Sequence, residues 1–165
     1  MSDVLLRQAV EADGPALQVL AAASPDAGAV VFSVQDHVPA HLAHADARER
    51  RHVVVAETPG SGMVGSAALS LGTCRIHGID HSYALLSALQ VHPTHRRQGI
   101  AAALTRSRID RARALAGPDV VLLANIQHGN AGSLANARRW ASWTSPPALT
   151  APVPMRRRPR GPRPD

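Results

Sequence analysis

The sequence predicts an α/β fold built on one mixed sheet, and two observations carry this prediction. First, two apolar segments, residues 51–57 and 63–71, flank the turn-forming residues 58–62 and predict an antiparallel hairpin. Second, an apolar run that ends at Val91 leads through a short turn into an alanine-rich helix, and a further apolar segment, residues 119–126, follows that helix. A strand–helix–strand crossover of this length is parallel and right-handed, so the sheet combines both kinds of pairing.

The elements before the hairpin follow from apolar periodicity and from helix breakers. We predict a first strand at residues 4–10 and a helix from Asp13 or Gly14 to Ala23. A second helix is expected at residues 33–50, interrupted or restarted around Pro39.

After the hairpin we expect a loop around Gly78 and then a strand from about Tyr83 to Val91. The helix at residues 100–115 carries apolar residues on one side and its arginines on the outer side. Residues 119–126 are apolar on both faces, which predicts a strand in the middle of the sheet. Asn130 precedes a further helix, and the proline-rich residues 145–155 allow one irregular edge strand at most.

Length and composition indicate one domain with an aliphatic core. The chain has 165 residues, of which 45% are hydrophobic and only 2% aromatic, so Val, Leu, Ile and Ala must fill the core. We predict a single domain over residues 1–154. Residues 155–165 are rich in Arg and Pro and nearly devoid of apolar side chains, which predicts a disordered tail.

The net charge of +6 is concentrated in that tail. Five arginines lie there: Arg156, Arg157, Arg158, Arg160 and Arg163. The rest of the chain is close to neutral, which argues against a specific nucleic-acid-binding face. Non-specific contact of the tail with RNA or another polyanion stays open as an alternative.

The redox and membrane signals favour a cytoplasmic protein. Cys74 is the single cysteine, so an internal disulfide is excluded and a reducing compartment fits. The sequence shows neither the layout of a signal peptide nor an apolar run of membrane-spanning length. We therefore expect no membrane partner.

The turn between residue 91 and the helix at residue 100 has the character of an anion site. The first N–H groups of a helix lack partners inside the helix and carry partial positive charge. Gly99 and Ala101 leave room for an anion to approach these groups, and Arg96 and Arg97 add charge that suits phosphate oxygens. The turn therefore suits a diphosphate, although an ordinary strand-to-helix connection with solvated arginines explains the same residues.

The pattern Arg96-x-x-Gly99-x-Ala101, five residues after a strand ending at Val91, resembles the pyrophosphate-binding motif of the GNAT superfamily of N-acetyltransferases. The resemblance implies a mostly antiparallel sheet with a splayed parallel pair, flanked by about four helices, and acetyl-CoA as cosubstrate. The slot between the splayed strands would take the pantetheine arm. The cofactor-binding residues implied are Leu89, Gln90, Val91, Arg96, Arg97, Gln98, Gly99, Ile100, Ala101, Asn130 and Ser133.

The segment from Asn130, with Ser133 three residues later, is similar to family members that modify protein N-termini or small amines. The resemblance thus covers roughly residues 4–143, in the expected order of elements. It implies an enzyme that transfers an acetyl group to a primary amine of a small molecule or a protein N-terminus. A homodimer is a further expectation.

Two positions depart from the family pattern. The tyrosine that many members use to protonate the CoA thiolate is replaced by Ala137, and the glutamate used as general base is replaced by Leu85. His81 and Ser87 lie on one face of the predicted strand with Tyr83 and are weak candidates for relaying the proton. A loop histidine at the entrance of the strand is the simpler interpretation of His81. A degenerate domain that binds CoA without transfer is therefore an alternative.

Two further groups receive structural interpretations. His37, His41 and His44 share a helix face at a spacing that suits metal ligands, but Pro39 intervenes and no other ligand is evident. We therefore predict a solvated or substrate-facing stripe and no metal. Trp140 and Trp143 are interpreted as core or dimer contacts.

Overall fold

The computed structural model describes residues 4–24 and 50–141. Its strands are β1 (Leu5–Gln8), β2 (Arg50–Thr58), β3 (Gly62–Ile76), β4 (Ile79–Val91) and β5 (Val121–Leu123). Its α-helices are α1 (Gly14–Ala23), α2 (Ile100–Ala116) and α3 (Ala131–Ala137), and short 3-10 helices span Glu11–Asp13 and Pro93–His95. Several predictions concern parts of the chain outside the described residues and stay predictions. They are those for the histidine stripe, Trp143, residues 145–155 and the arginine tail.

The five strands form one sheet in the order β1-β2-β3-β4-β5. The first four pair antiparallel, and β5 pairs parallel to β4. This confirms the predicted mixed α/β sheet. The helix α2 makes the crossover from β4 to β5 and packs on one face of the sheet, while α1 packs on the other.

The strand predicted at residues 119–126 is shorter than expected, and its predicted place in the middle of the sheet stays a prediction. Strand β5 covers only Val121–Leu123 and has β4 as its one neighbour in the described sheet. Leu123 is 43% exposed, whereas Val120 and Leu122 pack into the core below α2. Among the described residues, the apolar run therefore packs on one side, against the core below α2.

Three predicted boundaries also need correction. Strand β1 is shorter than predicted, and Arg50 begins β2 where the end of a helix was expected. The expected loop around Gly78 is a tight hairpin that joins β3 to β4, because His77 (φ +50°) and Gly78 (φ +82°) both adopt left-handed backbone conformations. Such a two-residue turn matches the twist of antiparallel strands, so both strands extend to its edge.

The core consists of Val, Leu, Ile and Ala side chains, as the composition predicted. Alternate residues of β2 divide between the two faces: Val53 and Val55 pack with Leu17 of α1, while Val54 and Ala56 pack with the first turns of α2. Trp140 packs against the cluster below α2, in agreement with its interpretation as a core contact.

Candidate active site

Strand β4 carries a bulge near its carboxyl end. The pairs Ser66–Gln90 and Ala68–Ser87 flank it, so two residues of β4 oppose one residue of β3. Ala88, inside the bulge, has a left-handed backbone with φ +48°. Because an extra residue bends its strand, the last part of β4 is redirected.

The parallel partner β5 does not follow this bend. Pairing between the two strands runs from Tyr83–Val121 to Leu85–Leu123 and ends there. Beyond this point a cavity of about 160 Å³ opens, which we call the slot. Its lining comes from residues 86–90 of β4, residues 124–127 after β5, Arg108 of α2, and Asn130, Ser133, Asn136, Ala137 and Trp140.

The basic turn lies directly after the bulged strand. Gly99 has φ +84° and precedes α2, and Arg97 also has a left-handed backbone, with φ +64°. The first backbone hydrogen bond into α2 is donated by the Ala103 N–H to the Gly99 carbonyl, at 3.0 Å. The earlier amides of α2 thus have no acceptor within the helix, and residues 96–99 are exposed around them.

A side-chain network orders the approach to this turn. The Thr94 hydroxyl lies 2.8 Å from His92 Nδ1 and 2.9 Å from His95 Nδ1. Arg96 Nε donates to the Val91 carbonyl at 3.2 Å, which ties the turn back to the end of β4. Sequence reasoning missed this network, although Pro93 at the start of a short helix was a usable signal for it.

Sequence reasoning also placed Arg108 wrongly. It was expected on the outer side of its helix, yet only 4% of it is exposed. Its Nη1 donates to the carbonyls of Ala68 and Ser87, both at 3.0 Å, and its Nη2 donates to the Thr105 hydroxyl at 3.2 Å. Asn136 of α3 donates to the same hydroxyl at 2.9 Å. Burial lowers the pKa of Arg108 to about 10, so the side chain remains a cation at neutral pH.

The two proton-relay candidates lie far apart. Ser87 is half-buried and lines the slot. His81 pairs with Cys74 in the part of the β3–β4 hairpin that precedes the pairing with β5. The two lie six positions apart along β4, which corresponds to roughly 20 Å. The strand therefore brings Ser87, and not His81, to the slot.

Four of the remaining predicted positions line the slot, two on each side of it. Leu89 and Gln90 line it from the bulge, and Val91 connects it to the basic turn. Asn130 and Ser133 line the opposite side, where the Asn130 side chain accepts a hydrogen bond from the Ser133 N–H at 3.0 Å and thereby caps α3. Ala137, at the position of the family's tyrosine, also faces the slot.

Comparison with known proteins identifies the family. The model of the acetyltransferase (GNAT) family matches residues 19–141. The chain therefore belongs to the GNAT family, whose members generally use acetyl-CoA. This confirms the resemblance that the basic turn indicated.

Solved structures of acetyltransferases share the fold. An acetyltransferase from Trypanosoma brucei is 18% identical, with 90% of this chain and 99% of that chain covered and a TM-score of 0.65. An aminoglycoside 6'-N-acetyltransferase from Acinetobacter haemolyticus is 17% identical, with 88% and 94% covered and a TM-score of 0.65. A ribosomal-protein-alanine N-acetyltransferase from Brucella melitensis is 19% identical, with 90% and 99% covered and a TM-score of 0.60.

No curated protein sequence matches the chain significantly. Among the described helices, none has both the length and the apolar character that a membrane span requires.

Proposed function

We propose that this chain is an acetyl-CoA-dependent N-acetyltransferase that acts on a primary amine of a small molecule or a protein N-terminus. The observation that carries this proposal is the order of the elements: the bulged end of β4 lines the slot and leads directly into the basic turn. The turn offers backbone amides without acceptors in the helix and two exposed arginines. Two of the similar structures are named for the acetylation of amines, an aminoglycoside and a protein alanine, which supports the acceptor class.

The residues present fit the cosubstrate. The amides of residues 97–101, with the side chains of Arg96 and Arg97, would hold the pyrophosphate. The backbone of residues 89–91 would face the pantetheine arm, and Asn130 and Ser133 would lie near it. When bound, acetyl-CoA supplies an activated thioester to the slot.

Transfer would require mainly alignment of two reactants. A neutral amine attacks the thioester carbonyl, so the C–N bond forms, the C–S bond breaks with its electron pair on sulfur, and the amine loses one proton. Backbone N–H groups of the splayed strand would polarise the carbonyl oxygen. Ser87 would relay the proton from the amine, because it is the one of the two candidate residues that lines the slot.

The second candidate is a domain that binds CoA without transferring an acetyl group. It is favoured by Ala137 and Leu85, which cannot donate or accept a proton at the positions where many family members do so. Incubating the protein with acetyl-CoA and a panel of amines, and measuring free thiol, separates the two functions. We expect amine-dependent thiol release, whereas CoA binding without release would establish the second candidate.

The phosphate-binding role of the turn is tested with Gly99→Glu. No atom lies within 4 Å of a Cβ built at Gly99, so the carboxylate would occupy the space that the pyrophosphate needs. Like-charge repulsion should then weaken CoA binding at least 100-fold, as measured by calorimetry, since such repulsion costs several kcal/mol in a binding site.

Gly60→Glu is the matched control for that variant. Gly60 has φ +81°, against +84° for Gly99, and its Cβ position is equally open, but it lies in the β2–β3 turn. Both variants introduce the same backbone strain and the same charge. Equal CoA affinity in the two folded variants would contradict the proposed role of the turn.

A further inference from the structure

Arg108 is a buried cation whose hydrogen-bond acceptors are all neutral. They are two backbone carbonyls and one hydroxyl. Arg7 and Arg75, by contrast, form ion pairs with carboxylates. Within residues 4–24 and 50–141 the Arg108 Nε is also buried without a hydrogen-bond partner. A buried charge that no carboxylate compensates creates a strong positive potential in its surroundings, because the low dielectric of the interior screens it little.

This positive charge lies at the slot. Arg108 contributes to the slot lining, and its Nη1 holds the Ser87 carbonyl at the edge of the β4 bulge. Through Thr105 it is connected to Asn136, the residue that precedes Ala137 on α3. The cation is thereby held at the same cavity as the alanine that replaces the family's proton-donating tyrosine.

We propose that the positive charge of Arg108 stabilises the thiolate leaving group electrostatically. This inference rests on the proposed acetyl transfer. As the C–S bond breaks, the electron pair remains on sulfur, and a nearby fixed cation lowers the energy of that anion without donating a proton. The proton lost by the amine leaves to solvent by way of Ser87, and the thiolate takes up a proton from solvent after release.

The sulfur of bound CoA provides a readout that is independent of turnover. If Arg108 stabilises the thiolate, the thiol pKa of CoA is lower in the complex than in solution. Linkage then requires that CoA binds progressively better than desulfo-CoA as the pH rises between those two pKa values, because desulfo-CoA has no thiol to ionise. A difference of one pKa unit produces about a tenfold change at completion.

The experiment measures the affinities of CoA and desulfo-CoA by calorimetry between pH 7 and 9.5. We expect the affinity ratio of the parent protein to rise about threefold or more over this range, as a shift of about one unit predicts. Arg108→Gln, which is neutral but retains amide donors for the carbonyls, should give a nearly constant ratio. Arg108→Lys, which retains the charge, should preserve most of the rise.

Arg106→Met serves as the matched control, because it removes an exposed arginine of the same helix. It should keep the rise of the parent. A flat ratio in the parent protein overturns the inference whether or not the Arg108 variants fold, and an equal rise in Arg108→Gln overturns it as well. If the parent protein does not bind CoA at all, the proposed function fails together with this inference. If it binds CoA with a flat affinity ratio, only this inference fails, so the two failures are distinguishable.

Discussion

Two residues of the basic turn adopt left-handed backbone conformations, and for one of them this has a cost in stability. Arg97 has φ +64°, a left-handed conformation that costs an L-residue roughly 1–2 kcal/mol. Its neighbour two positions on, Gly99, adopts the same region without that cost. Strained non-glycine residues cluster at functional sites, which agrees with the role proposed above for the Arg97 side chain in binding the pyrophosphate.

For individual residues, we predict that Arg97→Gly makes the protein more stable but weakens its binding of CoA. Relief of the left-handed strain, partly offset by the greater entropy of glycine in the unfolded chain, should raise the free energy of unfolding by about 0.5–1 kcal/mol. Loss of the guanidinium should weaken CoA binding by about 10- to 100-fold, since charge-assisted hydrogen bonds contribute about 1.5–3 kcal/mol. Urea unfolding and calorimetry measure the two effects.

His77→Gly provides the control for Arg97→Gly. His77 is exposed and has φ +50°, but it lies in the β3–β4 hairpin turn, away from the basic turn. A similar gain in stability with unchanged CoA affinity is expected. Unchanged CoA affinity in Arg97→Gly itself would show that its side chain does not contact the cosubstrate.

At the scale of elements, the position of the basic turn depends on how closely α2 approaches the sheet. Gly65 of β3 lies under the first turns of this helix. A Cβ at Gly65 would lie 3.1 Å from side-chain atoms of Ile100 and Leu104 and 3.2 Å from the Gln90 carbonyl oxygen. Both helix residues are almost fully buried, so neither side chain has free space to move into.

We therefore predict that Gly65→Ala displaces the first turns of α2. Overpacking of this kind should lower the free energy of unfolding by about 1–3 kcal/mol. Because the same turns carry the amides proposed for the pyrophosphate, CoA affinity should fall as well. Thermal unfolding with and without CoA measures both effects.

Gly132→Ala is the control, since a Cβ at Gly132 meets only the Asn130 side chain, at 3.9 Å, within helix α3. Its stability should equal or slightly exceed that of the parent, because alanine favours a helix over glycine by up to about 1 kcal/mol. If the destabilised Gly65→Ala protein kept full CoA affinity, the close packing of α2 on Gly65 would not be required for CoA binding.

At the scale of the whole molecule, Arg7 ties the beginning of the chain to the sheet. Its guanidinium binds Asp13 bidentately, with Nη–Oδ distances of 2.7 and 2.8 Å, and it also contacts Glu57 of β2. Asp13 additionally accepts the Val10 N–H at 2.8 Å. The hydrogen bond from Arg7, followed by that from Val10, lowers the pKa of Asp13 to about 2.

This shift predicts a loss of stability in acid. A carboxyl whose pKa is lower in the folded state stabilises the fold above its unfolded pKa of 3.8 and loses that contribution as the pH falls toward 2. The free energy of unfolding should therefore fall more steeply from pH 4.5 to 2.5 in the parent than in Asp13→Asn, as measured by urea titrations. Asp119→Asn, at an exposed position, should retain the parent's slope. Equal slopes in the parent and Asp13→Asn would exclude this role of Asp13.

Local sequence signals determined the elements around the basic turn. Pro93, Gly99 and the alanine-rich residues that follow lie within a few positions of one another, so strand end, turn and helix start could all be predicted there. The mixed sheet followed from the same kind of signal. The splayed strand pair was implied by family resemblance, and the bulge at Ala88 explains it.

Only the tertiary structure decided which arginine of α2 is buried and where β5 lies. Arg106, Arg108, Arg111 and Arg113 are chemically alike in the sequence, and three of them are exposed. Arg108 points inward because Leu104 and Ala112, one turn before and one turn after it, pack on the sheet, and because the bulged strand presents carbonyls that need a donor. Local propensity determines where a helix or turn forms, but the burial of a charge depends on acceptors supplied by residues distant in the chain.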